Sequence, residues 1–146
     1  MKLGVYDIIN DPLPKLYLIK EINVKVEDFE YDEDIVKVFN KHLCMDKLDS
    51  EYMYALSLSY GLIPRGIVQL SSGNNKKCNM NIRKLGIGLL LTGAEQFMCF
   101  HNHPGGNKKI TLEDRVATEK YEDLAECIGI DFIRHIMITK DYWEKC

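Results

Sequence analysis

The sequence predicts a single α/β domain in which a mixed β-sheet is flanked by helices. Segments with strand character alternate with segments of helical periodicity along the chain, which is typical of a sheet covered by helices. The chain has 146 residues, of which 46% are hydrophobic and 28% are charged, an ordinary balance for one globular domain. No internal repeat or low-complexity linker interrupts residues 1–146, so we expect one continuous fold.

The first predicted elements are a strand and a helix. Residues 16–26 are rich in strand-forming residues and follow two prolines, which predicts a strand inside an N-terminal extension of residues 1–30. Acidic residues at positions 32–34 open a predicted helix, because acids in a first turn complement the helix dipole. The apolar residues of this helix recur at helical spacing, at positions 35, 38, 39 and 43.

A hairpin and a second helix are predicted next. One strand begins at Glu51 and a second covers residues 66–73, with a turn between them. Residues 73–77 have the composition of a loop. Residues 82–91 predict a helix that ends with Gly93 just beyond it. Two glycines inside this helix lower its stability by roughly 1 kcal/mol each relative to alanine.

The last third of the chain predicts strand, helix and strand in turn. A continuous apolar run over residues 96–101 is typical of a buried strand, and a proline–glycine loop follows it. Residues 111–128 carry one apolar stripe and predict a helix. Residues 130–139 predict another buried strand, which completes the alternation on which the fold class rests.

Composition and charge exclude several classes of function. The formal net charge of -3 and the pI near 5.8 give no overall basic field, so we expect no direct contact with nucleic acid. Five cysteines without a C-x-x-C spacing indicate reduced thiols in a cytoplasmic protein rather than a disulfide framework. The N-terminus lacks a signal-peptide pattern, and no apolar run approaches the roughly 18 residues of a transmembrane helix, so no membrane partner is expected.

The residues that indicate chemistry are His101-Asn102-His103-Pro104, followed by Thr111 and Asp114. Because side chains alternate along a strand, His101 and His103 should project to the same side. Two imidazoles and one carboxylate leave a fourth zinc position open to water, as in catalytic zinc sites. Thr111 and Asp114 also have the spacing of a helix capping box. Both interpretations stay open, since a ligand in the first turn of a helix is compatible with capping.

Several other conspicuous residues have structural interpretations. The histidines outside the motif, His42 and His135, are assigned to core or surface positions. Cys99 is predicted to be buried in its strand, because better-spaced ligands lie beside it. Lysine pairs at 76–77 and 108–109 predict solvated loops, since four lysines fall short of a nucleic-acid binding surface.

Glu51, the two motif histidines and Thr111-x-x-Asp114 together resemble the JAMM pattern of the JAB/MPN metalloprotease superfamily. The sequence HNHPGG, preceded by GAEQFMCF and followed by GIDFIRHIMIT, is similar to the bacterial RadC-like JAB family, from about residue 32 to the C-terminus. Arg83 falls where that family has an arginine at the start of its middle helix. The resemblance implies a JAB/MPN architecture, a mixed sheet flanked by helices that is related to the cytidine deaminase fold.

The same resemblance implies a zinc-dependent hydrolase that cleaves peptide or isopeptide bonds with a zinc-activated water. His101, His103 and Asp114 are then the ligands of one zinc ion per chain. Glu51 is the general base, which later protonates the leaving amine, and Thr111 stands where the family has a serine that stabilises the oxyanion. The implied partner is a peptide or protein substrate, which a mixed sheet can bind as an extended strand. The sequence gives no prediction for the oligomeric state.

Departures from the family pattern leave a second hypothesis open. Gly105 replaces a serine, the loop at 107–110 lacks a proline, and Arg134-His135 replaces an Asp-His pair. We also expect no helix-hairpin-helix module in these 146 residues. The alternative is a metal-binding module with little or no turnover that acts through protein contacts in DNA repair or a mobile-element context. Glu51 discriminates between the two, because a binding module needs no general base. A metal-dependent phosphodiesterase would want more carboxylates than the sequence offers.

Overall fold

Strands and helices alternate along the chain in the computed structural model, which describes residues 1–72 and 81–146. Short 3-10 turns precede the first helix and follow the fifth strand, at Val26–Phe29 and Pro104–Gly106. In chain order, the strands and α-helices of the described ranges are β1 (Lys2–Asn10), β2 (Pro14–Asn23), α1 (Asp32–Leu43), β3 (Tyr52–Ser59), β4 (Ile63–Ser72), α2 (Ile82–Leu91), β5 (Gln96–Asn102), α3 (Leu112–Ile128), β6 (Asp131–Thr139) and β7 (Tyr142–Lys145).

The seven strands of the described ranges form one mixed sheet. Their order across the sheet is β2-β1-β4-β3-β5-β6-β7. β1 runs parallel to β4 and β5 runs parallel to β6, while the other neighbouring strands are antiparallel. The predicted fold class, a mixed sheet flanked by helices, is therefore confirmed.

Helices cover both faces of the sheet and create two apolar layers. On one face, α1 buries Phe39, whose ring stacks on Phe100 of β5 at a centroid distance of 4.0 Å. On the other face, Leu85 and Leu89 of α2 and Tyr121 of α3 pack against β3, β4 and β5. β5 is thus buried from both sides, which explains why its sequence is a continuous apolar run.

The N-terminal region differs from its prediction. The strand predicted over residues 16–26 spans Pro14–Asn23, and the sequence analysis missed β1, which pairs with both β2 and β4. Gly4 and Asp7 interrupt the alternation within β1, so this strand depends on distant partners rather than on a local pattern.

The C-terminal strand and the hairpin also differ from the predictions in part. β7 has only four residues and pairs with β6 alone in the described sheet, and it was not predicted. The predicted hairpin is confirmed as β3 and β4, although β4 begins at Ile63, three residues before the predicted start. The helix predictions for 82–91 and 111–128 agree with α2 and with α3, for which Thr111 is the N-cap. The predicted loop at 73–77, with its lysine pair at 76–77, lies outside the described residues.

No helix of the described ranges has both the length and the apolar character needed to cross a membrane.

Candidate metal centre

The end of β5 and the start of α3 bring together the three residues predicted to bind a metal. His101 is the penultimate residue of β5, His103 follows that strand, and Asp114 lies in the first turn of α3. His101 is 1% exposed and Asp114 is 8% exposed, while His103 is partly buried. Asp114 is buried because the loop after β5 folds the start of α3 back over the strand end.

The facing atoms of these three side chains are nearly equidistant. Nε2 of His101 lies 3.1 Å from Nε2 of His103 and 3.1 Å from Oδ1 of Asp114. Nε2 of His103 lies 3.1 Å from Oδ2 of Asp114. Ligand atoms at roughly 2.0–2.1 Å from a tetrahedral zinc ion stand about 3.3 Å apart. These separations are close to those between the ligands of one tetrahedral zinc ion, with a carboxylate oxygen of Asp114 as the third ligand atom.

A hydrogen bond on the far side of the ring orients His103. Its Nδ1 lies 2.9 Å from the main-chain oxygen of Asn107. Because a carbonyl oxygen only accepts, Nδ1 carries the proton and donates it. Nε2 of the neutral ring then offers a lone pair toward Asp114, which is the orientation that a metal ligand requires.

The charges of the three side chains are interdependent. Burial raises the pKa of Asp114, but its interactions with His101, His103 and the main-chain N–H of Thr111 lower it by more, so the carboxyl group stays ionised. The hydrogen bond with Asp114 raises the pKa of His103 above its ordinary value, although burial opposes this effect. In the absence of a metal, a proton on Nε2 of His103 can supply the positive charge that the carboxylate needs.

A second group of potential ligands, His101, His135 and Cys146, meets on the other side of His101. Nδ1 of His101 and Nε2 of His135 are only 2.6 Å apart. That separation is a hydrogen-bond length and is shorter than the roughly 3.3 Å between two ligands of one tetrahedral ion. Burial raises the pKa of Cys146 to about 12, which keeps its thiol protonated. Of the two groups, His101, His103 and Asp114 have the better geometry for a metal.

His135 therefore belongs to the surroundings of the site, a contact that the sequence analysis missed. It is 1% exposed, as its assignment to a core position allows, and its Nδ1 lies 2.8 Å from Oγ1 of Thr118 on α3. A histidine inside an otherwise apolar buried strand needs a polar partner. The position of His135 in such a strand was therefore the feature of the sequence that could have indicated this contact. The other histidine outside the motif, His42, lies in the last turn of α1 on the opposite face of the sheet.

Glu51 lies beside the three potential ligands. It is partly buried immediately before β3, and its charge contributes to the raised pKa of His103. A cavity of about 320 Å³ borders Glu51 and two of the potential ligands, His101 and Asp114. Its lining residues are Glu51, Met53, His101, Leu112, Glu113, Asp114, Val116, Ala117, Lys120 and His135.

Asn102 fixes the main chain on both sides of Glu51. Its Oδ1 accepts a hydrogen bond from the main-chain N–H of Tyr52 at 2.6 Å, and its Nδ2 donates to the main-chain oxygen of Ser50 at 3.0 Å. Asn102 is 1% exposed and lies between the two motif histidines. Together with the pairing of β3 and β5, this amide fixes the position of Glu51 relative to the potential ligands, a role that the sequence analysis did not predict.

Thr111 and Asp114 form the predicted capping box. The Thr111 hydroxyl accepts from the Asp114 N–H at 3.2 Å, and Oδ2 of Asp114 accepts from the Thr111 N–H at 2.9 Å. The capping prediction is confirmed, and the same carboxylate faces both histidines. Because the Thr111 hydroxyl is an acceptor in the cap, its own proton is not used there.

The remaining predicted residues lie away from these contacts. Cys99 is 1% exposed, as predicted, and burial raises the pKa of its thiol. Lys108 and Lys109 are exposed, as predicted for a solvated loop, and Nζ of Lys108 lies 5.1 Å from the centre of the Tyr142 ring. Arg83 is exposed near the start of α2 and does not line the 320 Å³ cavity.

Comparison with known proteins identifies a family and several relatives. A family model described as RadC-like JAB domain matches residues 29–144. A UPF0758 protein of Listeria monocytogenes is 36% identical over 52 residues, which cover 36% of this chain and 23% of that protein. UPF0758 proteins of Clostridium acetobutylicum and Thermotoga maritima are 29% and 25% identical, covering 66% and 72% of this chain and 44% and 47% of their own lengths. The chain thus spans less than half the length of these curated relatives, and their names state no activity.

Proposed function

The chain belongs to the RadC-like JAB domain family, and from that premise we propose that it is a zinc-dependent hydrolase of peptide or isopeptide bonds. The observation that carries the proposal is the arrangement of His101, His103 and Asp114, whose facing atoms lie 3.1 Å apart beside a cavity that Glu51 lines. Three protein ligands with a fourth position open are typical of catalytic rather than structural zinc sites.

The proposed mechanism assigns a role to each of five residues that line the cavity or lie close to its lining residues in the sequence. A zinc ion held by His101, His103 and Asp114 would supply the positive charge that acidifies a water molecule and polarises the scissile carbonyl. Glu51 accepts a proton as water adds to the carbonyl carbon, and it returns a proton to the amine as the C–N bond breaks. The Thr111 hydroxyl, whose proton is not used in the helix cap, donates to the developing oxyanion.

Asn102 supports this mechanism by holding the general base in place. Its amide binds main-chain groups immediately before and after Glu51, and its own main chain continues directly into both histidines. A fixed distance between base and ligands matters, because small displacements of reacting groups lower catalytic rates strongly.

The lining of the cavity favours a substrate with an apolar side chain near the scissile bond. Leu112 and Val116 are 75% and 40% exposed on the side of α3 that borders the cavity, and the side chain of Met53 lies nearby on β3. Apolar side chains beside a few polar groups are the usual lining of a binding pocket. A peptide or protein segment is the partner that fits this proposal.

The test combines metal analysis with a cleavage assay. Wild-type protein and Glu51→Gln, which differ by one carboxylate, should each retain about one zinc per chain by elemental mass spectrometry. Only the wild type should cleave a mixture of peptides and isopeptide-linked peptides, with products identified by mass spectrometry. His103→Ala should lose both zinc and cleavage.

Two outcomes would contradict the proposal in different ways. Cleavage retained by Glu51→Gln would show that Glu51 is not the general base. Zinc bound by the wild type with no cleavage of any peptide would favour the metal-binding module that acts through protein contacts.

A further inference from the structure

A chain of buried hydrogen bonds leads from His101 away from the potential metal ligands and returns to α3. Nδ1 of His101 lies 2.6 Å from Nε2 of His135, and Nδ1 of His135 lies 2.8 Å from Oγ1 of Thr118. The Thr118 hydroxyl lies 3.0 Å from the main-chain oxygen of Asp114, four residues earlier on the helix. Both histidines are 1% exposed, so water does not compete for these contacts.

The direction of each hydrogen bond follows from the atom that can only accept. The main-chain oxygen of Asp114 accepts, so the Thr118 hydroxyl donates its single proton there. Oγ1 of Thr118 must then accept from Nδ1–H of His135. Since Nε2 of a neutral His135 ring carries no proton, it accepts from Nδ1–H of His101.

His135 is neutral in this arrangement because of its surroundings. Its two ring nitrogens meet a hydroxyl group and another imidazole, and neither partner carries a negative charge. A buried imidazolium ring without a carboxylate on either nitrogen is penalised by desolvation.

We propose that Thr118 and His135 set the tautomer of His101 and thereby the affinity of this centre for zinc. With its proton on Nδ1, His101 directs an unprotonated Nε2 toward His103 and Asp114. If each hydrogen bond ran in the opposite direction, the proton of His101 would occupy Nε2 and point at His103 and Asp114. A metal would then have to displace that proton. The inference rests on the zinc centre of the proposed function but not on hydrolysis.

Asp114 contacts both ends of this series of hydrogen bonds. Its carboxylate faces Nε2 of His101 at 3.1 Å, while its main-chain oxygen accepts from Thr118. Thr118 and Asp114 are about one helical turn apart on α3, so one helix fixes both ends of the hydrogen-bond relay that joins Thr118, His135 and His101. Thr118 therefore acts on the metal through the imidazole groups of His135 and His101. It is a positioning residue that neither binds the metal nor lines the cavity.

The matched variants Thr118→Val and Thr118→Ser separate hydrogen bonding from packing. Valine has nearly the shape of threonine but cannot accept the proton of His135, whereas serine can. Zinc affinity of the full chain is measured at fixed pH by competition with a chromophoric chelator. We expect a loss of about 10–100-fold for Thr118→Val, the usual effect of removing a hydrogen-bonding partner of a metal ligand, and little change for Thr118→Ser.

Nitrogen-15 NMR of the histidine rings reads the tautomers directly. In the wild type, His101 and His135 should both carry their protons on Nδ1, and Thr118→Val should change this pattern while Thr118→Ser preserves it. A merely structural role of Thr118 would leave the tautomers unchanged. If Thr118→Val does not fold, His135→Gln and His135→Leu test the same point, because glutamine can accept from His101 and donate to Thr118 whereas leucine can do neither.

Equal zinc affinity in the valine and serine variants, or an unchanged tautomer of His101 in Thr118→Val, would overturn the relay. A wild-type protein that binds no zinc would instead overturn the proposed function, and the relay would fall with it. Absence of peptide cleavage by a zinc-loaded wild type would refute hydrolysis alone.

Discussion

Asn102 joins the segment of Glu51 to the strand of the histidines through two hydrogen bonds, and its side chain is buried. Asn102→Ala leaves the main-chain N–H of Tyr52 and the oxygen of Ser50 without these partners. We expect the free energy of unfolding to fall by about 1–3 kcal/mol, the cost of an unsatisfied buried polar group. Urea titration measures the fall, and cleavage should decrease more than zinc content because Glu51 is released.

The control for this variant is Asn107→Ala. Asn107 is exposed, and it binds His103 through its main-chain oxygen, which the substitution keeps. The substitution removes only an exposed hydrogen bond, from the main-chain N–H of Lys109 to Oδ1 of Asn107. Its unfolding free energy should change by no more than about 0.5 kcal/mol, as for ordinary surface substitutions. An equal loss in both variants would mean that the two hydrogen bonds of Asn102 do not stabilise the fold.

Single residues of the site differ in how far the sequence could predict them. His101, His103 and Asp114 lie within one strand–loop–helix unit, so their spacing is enough to suggest a common site. Glu51 reaches the site because β3 pairs with β5, and only the family pattern indicates it. His135 and Thr118 meet His101 through the packing of β6 and α3, which no local pattern describes.

At the scale of elements, two glycines of α2 face different neighbours. A Cβ added at Gly86 would lie 3.6 Å from Leu124, an ordinary contact, whereas one added at Gly88 would lie 2.9 Å from Val68 on β4. Gly86→Ala should therefore raise the free energy of unfolding by about 0.5–1 kcal/mol, because alanine is the better helix former. Gly88→Ala should lower it, since α2 would have to move away from β4.

Urea titration of the two variants measures this difference. Both substitutions change helix propensity equally, so a difference between them isolates the packing of α2 against the sheet. Equal stabilisation by both would contradict a close approach of Gly88 to β4.

Elements were predictable where burial alone determines their pattern. β5 and β6 are buried along most of their length, and α3 has a continuous apolar stripe and a cap, so each is visible in the sequence. β1 and β7 have weaker patterns, and their strand conformation depends on partners that the fold supplies. Propensity in a strand is largely a matter of what lies beside it.

At the scale of the molecule, the candidate metal centre couples stability to pH. The pKa of His103 is raised, so its interaction with Asp114 stabilises the metal-free protein fully below the unfolded value of about 6.5. This contribution is lost as the pH rises through the folded pKa. The lowered pKa of Asp114 affects stability at acidic pH. Its contribution to the free energy of unfolding is lost as the pH falls through the folded pKa.

We therefore expect the stability of the metal-free protein and the stabilisation by zinc to change in opposite directions as the pH is raised from about 6 to about 9. The unfolding free energy of metal-free protein should decrease, while the stabilisation by added zinc should increase because His103 must lose its proton to bind metal. Urea titrations at several pH values, with zinc or with chelator, measure both trends. His103→Gln should remove the dependence, and parallel curves for the wild type would contradict the coupling.

The placement of the ligands along the chain has a consequence for folding. His101 and Asp114 are 13 residues apart, whereas Glu51 lies 50 residues before His101. Closing a short loop costs little conformational entropy, so under the proposed function His101, His103 and Asp114 can meet around a metal ion before the sheet is assembled. Glu51 arrives only when β3 docks on β5, a contact of much longer range. Under the proposed function, zinc binding therefore requires first that residues 101–114 have folded, with full affinity once β6 has packed against them, whereas cleavage requires in addition that β3 has paired with β5.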